Sequence, residues 1–294
     1  MGLQSRGDRL VEIINYILLA LIAAVVIYPL VFVLSASFSK PDFVLRGEMW
    51  LLPKGINLDA YSKIFQNKDL WIGYRNTIVY TLVGTSINLL MTILAAYPMS
   101  RKDFAGRNLV MAMMVVTLFF SGGLIPTYLL IKKLHMLDTF WVMVIPNAVS
   151  VWNIIIMRTF FQSSIPHEIQ ESAMIDGCAN WQILIRIVLP LSMPVIAVMI
   201  LFYAVGHWNA FFNALIYLND KDKFPLQLIL REMLIQNSMK DMAKLTQEAV
   251  AKQAMSVEGI KYAIIVVANL PVLLLYPFLQ KYFVKGVMIG ALKG

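Results

Sequence analysis

The chain has 294 residues, 59% of them hydrophobic and 14% charged, with a formal net charge of +8 and a mean hydropathy of +0.71. Soluble domains are about 45 to 50% apolar and about 25% charged, so this composition excludes an ordinary soluble domain and points to a membrane protein. The basic residues stand singly between apolar runs and form no stripe, which argues against nucleic acid and for loops facing anionic lipid headgroups.

A helix crossing about 30 Å of hydrocarbon at about 1.5 Å per residue needs about 20 residues. Six apolar runs approach that length, over residues 12–35, 77–97, 108–131, 139–161, 183–206 and 259–281. They predict an all-α polytopic fold with six transmembrane helices in a single domain, 1–294. The first run, Ile13 to Leu34, exceeds the roughly 7 to 15 apolar residues of a signal peptide and reads as an uncleaved span. Residues 36–76, with Pro41, Gly47, Pro53 and Gly55, read as an ordered polar loop carrying a short helix near "LDAYSKIFQN".

The joins at 99–108 and 132–138 are short and basic. Between them, "SGGLIP" at 121–126 puts Gly122, Gly123 and Pro126 in the middle of the third run. Unwound backbone at that depth must be buried in protein or line a cavity, which makes both glycines candidate pathway residues; close helix packing is the alternative. In the fourth run Asn147 and Asn153 either line a path or hydrogen-bond to a neighbouring helix. After the fifth, "HWNAFFNALIYL" at 207–218 combines aromatic rings with amides. Trp208, Asn209, Phe212 and Asn213 thus have the chemistry to stack on sugar faces and bond their hydroxyls, although an aromatic belt at the outer interface gives the same composition. The join 207–257 closes on "LIQNSMKDMAKLTQEAVAKQAM", a polar helix-forming stretch.

The spans lack ionisable groups: no Asp, Glu, Lys or Arg occurs from Ile13 to Leu34, Thr77 to Pro98, Leu109 to Ile131, Phe140 to Met157, Ile187 to Gly206 or Tyr262 to Leu279. Ion-coupled carriers commonly hold their coupling ion on such residues, so the energy source is expected outside the membrane, against a self-sufficient channel or secondary carrier. No G-x-x-x-x-G-K-[ST] loop is present to cradle ATP phosphates. His135, His167 and His207 are far apart, and no metal-ligand spacing or catalytic constellation is visible, which argues against an integral-membrane enzyme.

The polar segment 163–190, caught between the fourth and fifth runs, is the most patterned part of the chain. Ser163 or Ser164 is placed to cap a helix of about 11 residues, Pro166 to sit in its first turn and Gly177 to end it in the left-handed conformation. Ile165, Ile169 and Ala173 fall on one stripe, with His167, Gln170, Glu171 and Met174 opposite.

"ESAMIDGCANWQILIRIVLP" at 171–190 resembles the EAA loop of ABC-importer permeases, through Glu171, Ser172, Ala173, Asp176, Gly177, Ile187, Leu189 and Pro190. Ser172 departs from the family's second Ala and Cys178 from a frequent Ala, both small-for-small changes. The likeness covers nearly the whole chain and is greatest to carbohydrate-type importers, similar to the second permease subunit of the maltose transporter. Within that group, "FFSGGLIPTYLLIKKL" and the ending "KGVMIGALKG" look like the complex-oligosaccharide subgroup, which includes lipo-oligosaccharide, alginate and rhamnogalacturonan systems.

The resemblance implies a multi-pass permease of the bacterial cytoplasmic membrane with both termini cytoplasmic. It implies pairing with a homologous permease, two cytoplasmic ATPase subunits carrying the ATP and Mg, and an extracellular or periplasmic binding protein that delivers the oligosaccharide. The 163–190 segment would dock on an ATPase, with Glu171 pairing across the interface and Ala173 admitting a close approach of the ATPase surface. Gly286, Gly290 and Lys293 of the tail would lie against the ATPase pair. This chain itself would bind no cofactor.

Overall fold

The structure, a computed structural model, describes residues 6–240 and 259–274. The tail residues Gly286, Gly290 and Lys293 and most of the polar stretch that begins at Leu234 lie outside them. The elements in chain order are α1 (Arg6–Phe38), α2 (Pro41–Leu45), α3 (Asp59–Gln66), α4 (Lys68–Ser100), α5 (Arg107–Phe119), α6 (Leu124–Lys133) and α7 (Val151–Ser164). They continue with α8 (His167–Ile175), α9 (Asn180–Leu191), α10 (Met193–Trp208), α11 (Phe212–Tyr217), α12 (Leu226–Lys240) and α13 (Gly259–Leu274). Single 3₁₀ turns lie at Phe140–Met143 and Lys221–Lys223, and the described residues contain no strand.

The chain divides into two compact units. The first comprises, of the described residues, 6–68, 230–240 and 259–270. Its α1 is long and apolar enough to cross a membrane, and its side chains from 9 to 30 are exposed throughout. Such a helix, hydrophobic all round with no protein cover, is suited to lipid. Its C-terminal end is tied down: Phe32 meets Tyr262 edge-on at 6.0 Å, Phe38 stacks on Tyr61 at 5.1 Å, and the Tyr61 hydroxyl donates to Ser37 Oγ at 2.8 Å. The short helix expected near 58–67 is present as α3.

The second unit comprises, of the described residues, 69–229 and 271–274. One apolar core joins Ile93, Ala96 and Tyr97 of α4 to Met111 of α5, Ile154, Met157 and Phe161 of α7, and Met199 and Tyr203 of α10. Near its start α4 is crossed at close range by residues 222–226. A Cβ on Gly73 would lie 3.0 Å from Leu226 Cα, the Leu226 N–H donates to Thr77 Oγ1 at 2.8 Å, and the Tyr80 hydroxyl donates to the Lys223 carbonyl at 2.9 Å.

Three of the predicted apolar runs are not single straight helices. The run 108–131 is α5 and α6, bent by 111° across residues 120–123. Of 139–161 only the part from Val151 is α-helical, behind a 3₁₀ turn and an irregular stretch ending at the N-cap Ser150. The run 183–206 is bent by 83° between α9 and α10 at Ser192. Apolar run length reports burial in lipid or protein, but not helix continuity; glycine pairs and prolines decide that.

Asp138 pins the loops outside α6 and α11. It adopts φ 55°, and its Oδ1 accepts the Asn219 and Asp220 N–H groups at 3.1 Å each, while Lys223 Nζ donates to Oδ2 at 3.2 Å. The Asp220 N–H above all, with those of Asn219 and Lys223, holds this carboxyl below its ordinary range. A lowered carboxylate contributes stability that is present above its unfolded pKa, about 3.9, and is lost as pH falls through the lowered value. Amide exchange at 219–223, corrected for intrinsic rates, is expected to stay slow from neutral pH to about 4 and to accelerate below that; exchange that rises already near pH 6 contradicts this pinning role.

A latched surface helix and a polar cavity

The helix α8 is built as the sequence reading expects at its end and not at its start. Gly177 has φ +78°, its N–H donates to the Met174 carbonyl at 3.0 Å and the Cys178 N–H donates to the Ala173 carbonyl at 2.9 Å, the paired bonds of a Schellman stop. At the start Pro166 is itself the N-cap, no side chain caps the helix, and Ser163 and Ser164 finish α7 instead. The cause is the proline, which forces Ile165 into extended backbone (φ −112°, ψ 110°) and so separates α7 from α8, leaving nine residues of helix where about 11 were expected.

The face of α8 that packs is also rotated from the expected stripe. Ile165 and Ala173 are buried, but Gln170 is buried beside them at 7% exposure while Ile169 is 42% exposed. The reason is Arg101, at the end of α4, whose guanidinium is 7% exposed and reaches under the helix. Its Nη1 donates to Gln170 Oε1 at 3.1 Å and its Nη2 to Met174 Sδ at 3.2 Å. The same fork binds Asp103 bidentately at 2.9 and 2.8 Å and lies 5.9 Å over the Tyr97 ring. The Asp103 hydrogen bond raises the Arg101 pKa, and Arg101 holds the Asp103 carboxyl below its usual value. Arg158 of α7 adds a bond from Nε to the Met99 carbonyl at 2.9 Å. A buried cation thus latches α8 to the end of α4, and Arg158 ties that end to α7.

Glu171, Ser172, Asp176 and Gly177 are exposed on α8 and its stop, whereas Ala173 belongs to the chain's own core. Alanine is small there so that α8 can lie against the bundle, not so that a partner can approach it. Glu171 Oε1 contacts His167 Nδ1 at 2.8 Å, one turn back. Leu189 packs against the core and Pro190 is exposed in α9, directly after the π-helical segment Leu184–Val188. Wider i→i+5 turns accommodate the ladder bond that Pro190 cannot donate.

The candidate pathway residues separate into two groups. Asn153 and Asn213 line a cavity of about 550 Å³ in the second unit, together with Asn88, Asn147, Tyr203 and His207. Asn88 organises it: its Nδ2 donates to the Asn147 carbonyl at 2.6 Å and its Oδ1 meets His207 Nε2 at 2.6 Å. One turn on, Thr92 Oγ1 donates to the Asn88 carbonyl at 2.7 Å and meets the Tyr203 hydroxyl at 2.6 Å. Since the Asn88 amide nitrogen is committed as a donor, its oxygen accepts and His207 Nε2 carries the proton. A Cβ on Gly84 would overlap the His207 ring, so only glycine leaves the imidazole its place.

Gly122, Gly123, Trp208, Asn209 and Phe212 do not line this cavity. Gly123 has φ +80° and ψ 173°, a conformation essentially reserved for glycine, and among the described residues a Cβ on it would meet nothing within 4 Å. Gly123 thus gives the chain the conformation it takes at the 111° bend. Trp208 is buried, with its ring 6.3 Å from Tyr74, Asn209 donates to the Val205 carbonyl within its own helix, and Phe212 is exposed. Among the described residues no group of three or more His, Cys, Asp or Glu is placed to hold a metal.

Apolar helices without a strand among the described residues, a latched polar surface helix and a cavity lined by uncharged polar groups are the architecture of a transport component. The chain belongs to the family of binding-protein-dependent transport system inner membrane components, whose model matches residues 70–289. It is therefore a membrane-embedded permease subunit of an ABC importer and not an enzyme. It is 40% identical to Protein LplC of Bacillus subtilis strain 168 over 290 residues, 99% of this chain and 97% of that protein. It is likewise 40% identical to the polygalacturonan/rhamnogalacturonan transport system permease protein YtcP of the same strain, over 98% of this chain and 99% of the relative. A chain of a bacterial ABC transporter involved in the import of the acidic polysaccharide alginate superposes with a TM-score of 0.82 at 33% identity, covering 96% of this chain and all of that one.

Proposed function

We propose that this chain, with a homologous but non-identical permease, forms the translocation path of an ATP-driven importer for an oligosaccharide delivered by an extracellular or periplasmic binding protein. Two cytoplasmic ATPase subunits hold the ATP and Mg, and α8 docks on one of them as the coupling helix. The six apolar runs cross the membrane, α5–α6 and α9–α10 each counting as one bent span, with both termini cytoplasmic. The names of LplC-like and YtcP-like relatives support a complex glycan as cargo.

The observation that carries this reading is the outward face of α8. The helix is anchored on its inner side by Gln170, Ala173 and Met174, yet Glu168, Ile169, Glu171 and Ile175 are exposed, Ile175 at 86%. Apolar side chains set among carboxylates fit a groove on a soluble partner better than a lipid headgroup layer, where lysine and arginine are the usual neighbours.

In liposomes holding the complete transporter, Glu171→Lys and Gly177→Pro are each expected to lower substrate-stimulated ATP hydrolysis at least about tenfold, or about 1.4 kcal/mol. The first reverses a charge on the docking face. The second removes the N–H that closes the helix and cannot reach φ +78°, at a cost of about 3 kcal/mol or more. Native hydrolysis and native ATPase retention in both variants would assign α8 to the lipid surface.

A further inference from the structure

Resting on the importer reading above, we propose that the cavity around Asn88 and His207 binds an uncharged, hydroxyl-bearing stretch of the glycan in preference to a substrate carboxylate. Three amides line the cavity without a side-chain hydrogen bond among the described residues: Asn147, Asn153 and Asn213. Asn153 is only 8% exposed. With no side-chain partner among the described residues, each amide is open to solvent or to a ligand that displaces it from the cavity. Each amide offers two donors and an acceptor, which suits a hydroxyl that both gives and takes a proton.

Among the described residues the lining contains no Asp, Glu, Lys or Arg. A carboxylate entering it would give up water with no cation to meet it, which is the expensive way to bury a charge. An uncharged sugar ring loses far less, and its C–H face finds Tyr203, Phe202 and Met143 in the same lining. The Asn88 amide and the Tyr203 hydroxyl are already fixed by protein contacts, so the walls are preorganised. Where the cargo is a uronate, the charge has to be met outside this cavity.

Saturation-transfer NMR tests this, because it detects weak binding directly. The complete transporter without its binding protein, in nanodiscs, is mixed with galactotetraose or with tetragalacturonate, which differ in charge at carbon six of each ring. Galactotetraose ring protons are expected to saturate in the native complex, at least about fivefold less in Asn153→Leu and Asn213→Leu, and near the native level in Asn153→Gln, which keeps the amide. Equal saturation in native and both Leu variants, or equal loss in Leu and Gln, overturns the amide site. Tetragalacturonate saturation that Asn153→Leu abolishes overturns the uncharged specificity. A complex that retains no ATPase and hydrolyses no ATP overturns the importer reading and this inference with it, an outcome distinct from the others.

Discussion

Replacing Arg101 by leucine is expected to lower substrate-stimulated ATP hydrolysis of the reconstituted transporter at least about tenfold while the chain remains in the membrane. Arg101 makes one guanidinium serve Gln170 and Met174 of α8, Asp103 of the adjoining loop and the Tyr97 ring. The Asp103 pair counts for little, since its carboxylate is 58% exposed and screened by water. The Gln170 bond counts for more: the amide is buried, and leaving it unpaired costs about 1 to 3 kcal/mol. That is enough to tilt or free a nine-residue helix held otherwise by Ile165 and Ala173. Arg101→Lys keeps the charge and loses the fork, so it should fall between native and leucine. In a double-mutant cycle, Arg101→Leu with Gln170→Leu should cost less than the two singles added, because the second change removes the orphan left by the first. Strict additivity, or native hydrolysis in Arg101→Leu, would show that α8 keeps its position without the latch.

Why this latch escapes the sequence is instructive. Periodicity places Gln170 with the polar face, and only the long-range bond to a cation 69 residues earlier explains its burial. The helix stop, by contrast, is local chemistry, so Gly177 is legible from glycine alone. The start is misread because Ser163 and Ser164 are good caps in isolation and lose to the constraint that Pro166 places on Ile165.

The cavity follows the same rule. Asn153 and Asn213 stand out as amides in apolar surroundings, whereas Asn88 and His207 are unremarkable singly. Their signal is the spacing of four that pairs Asn88 with Thr92 and Tyr203 with His207, polar pairs in or beside the stretches 77–98 and 187–206 that hold no Asp, Glu, Lys or Arg. Asp, Glu, Lys and Arg are the residues whose absence from the spans the composition reveals, and a site made of amides, hydroxyls and an imidazole passes beneath that search. The bends at 120–123 and Ser192 are legible only in part, since SGG announces a break but not its angle.

Gly84→Ala gives the second large effect, and its sign discriminates. In an α-helix interior alanine is favoured over glycine by about 0.5 to 1 kcal/mol, so propensity alone predicts a more stable protein. The added methyl, however, would overlap the His207 ring, and overpacking of this kind costs about 1 to 3 kcal/mol. The ring has little freedom to yield, because Nε2 is held by Asn88 at 2.6 Å and Asn88 is held in turn by the Asn147 carbonyl. Displacing the imidazole also breaks the order of the cavity wall. Gly84→Ala is therefore expected to lower the melting temperature of the purified complex and to cut glycan uptake at least about tenfold, about 1.4 kcal/mol on the transport barrier. His207→Ala makes room for the methyl, and in that background the same Gly84→Ala change should become neutral or stabilising, as helix propensity demands. If Gly84→Ala destabilises equally with and without the imidazole, the overlap is not its cause, and His207 does not hold the place in the cavity that the geometry gives it.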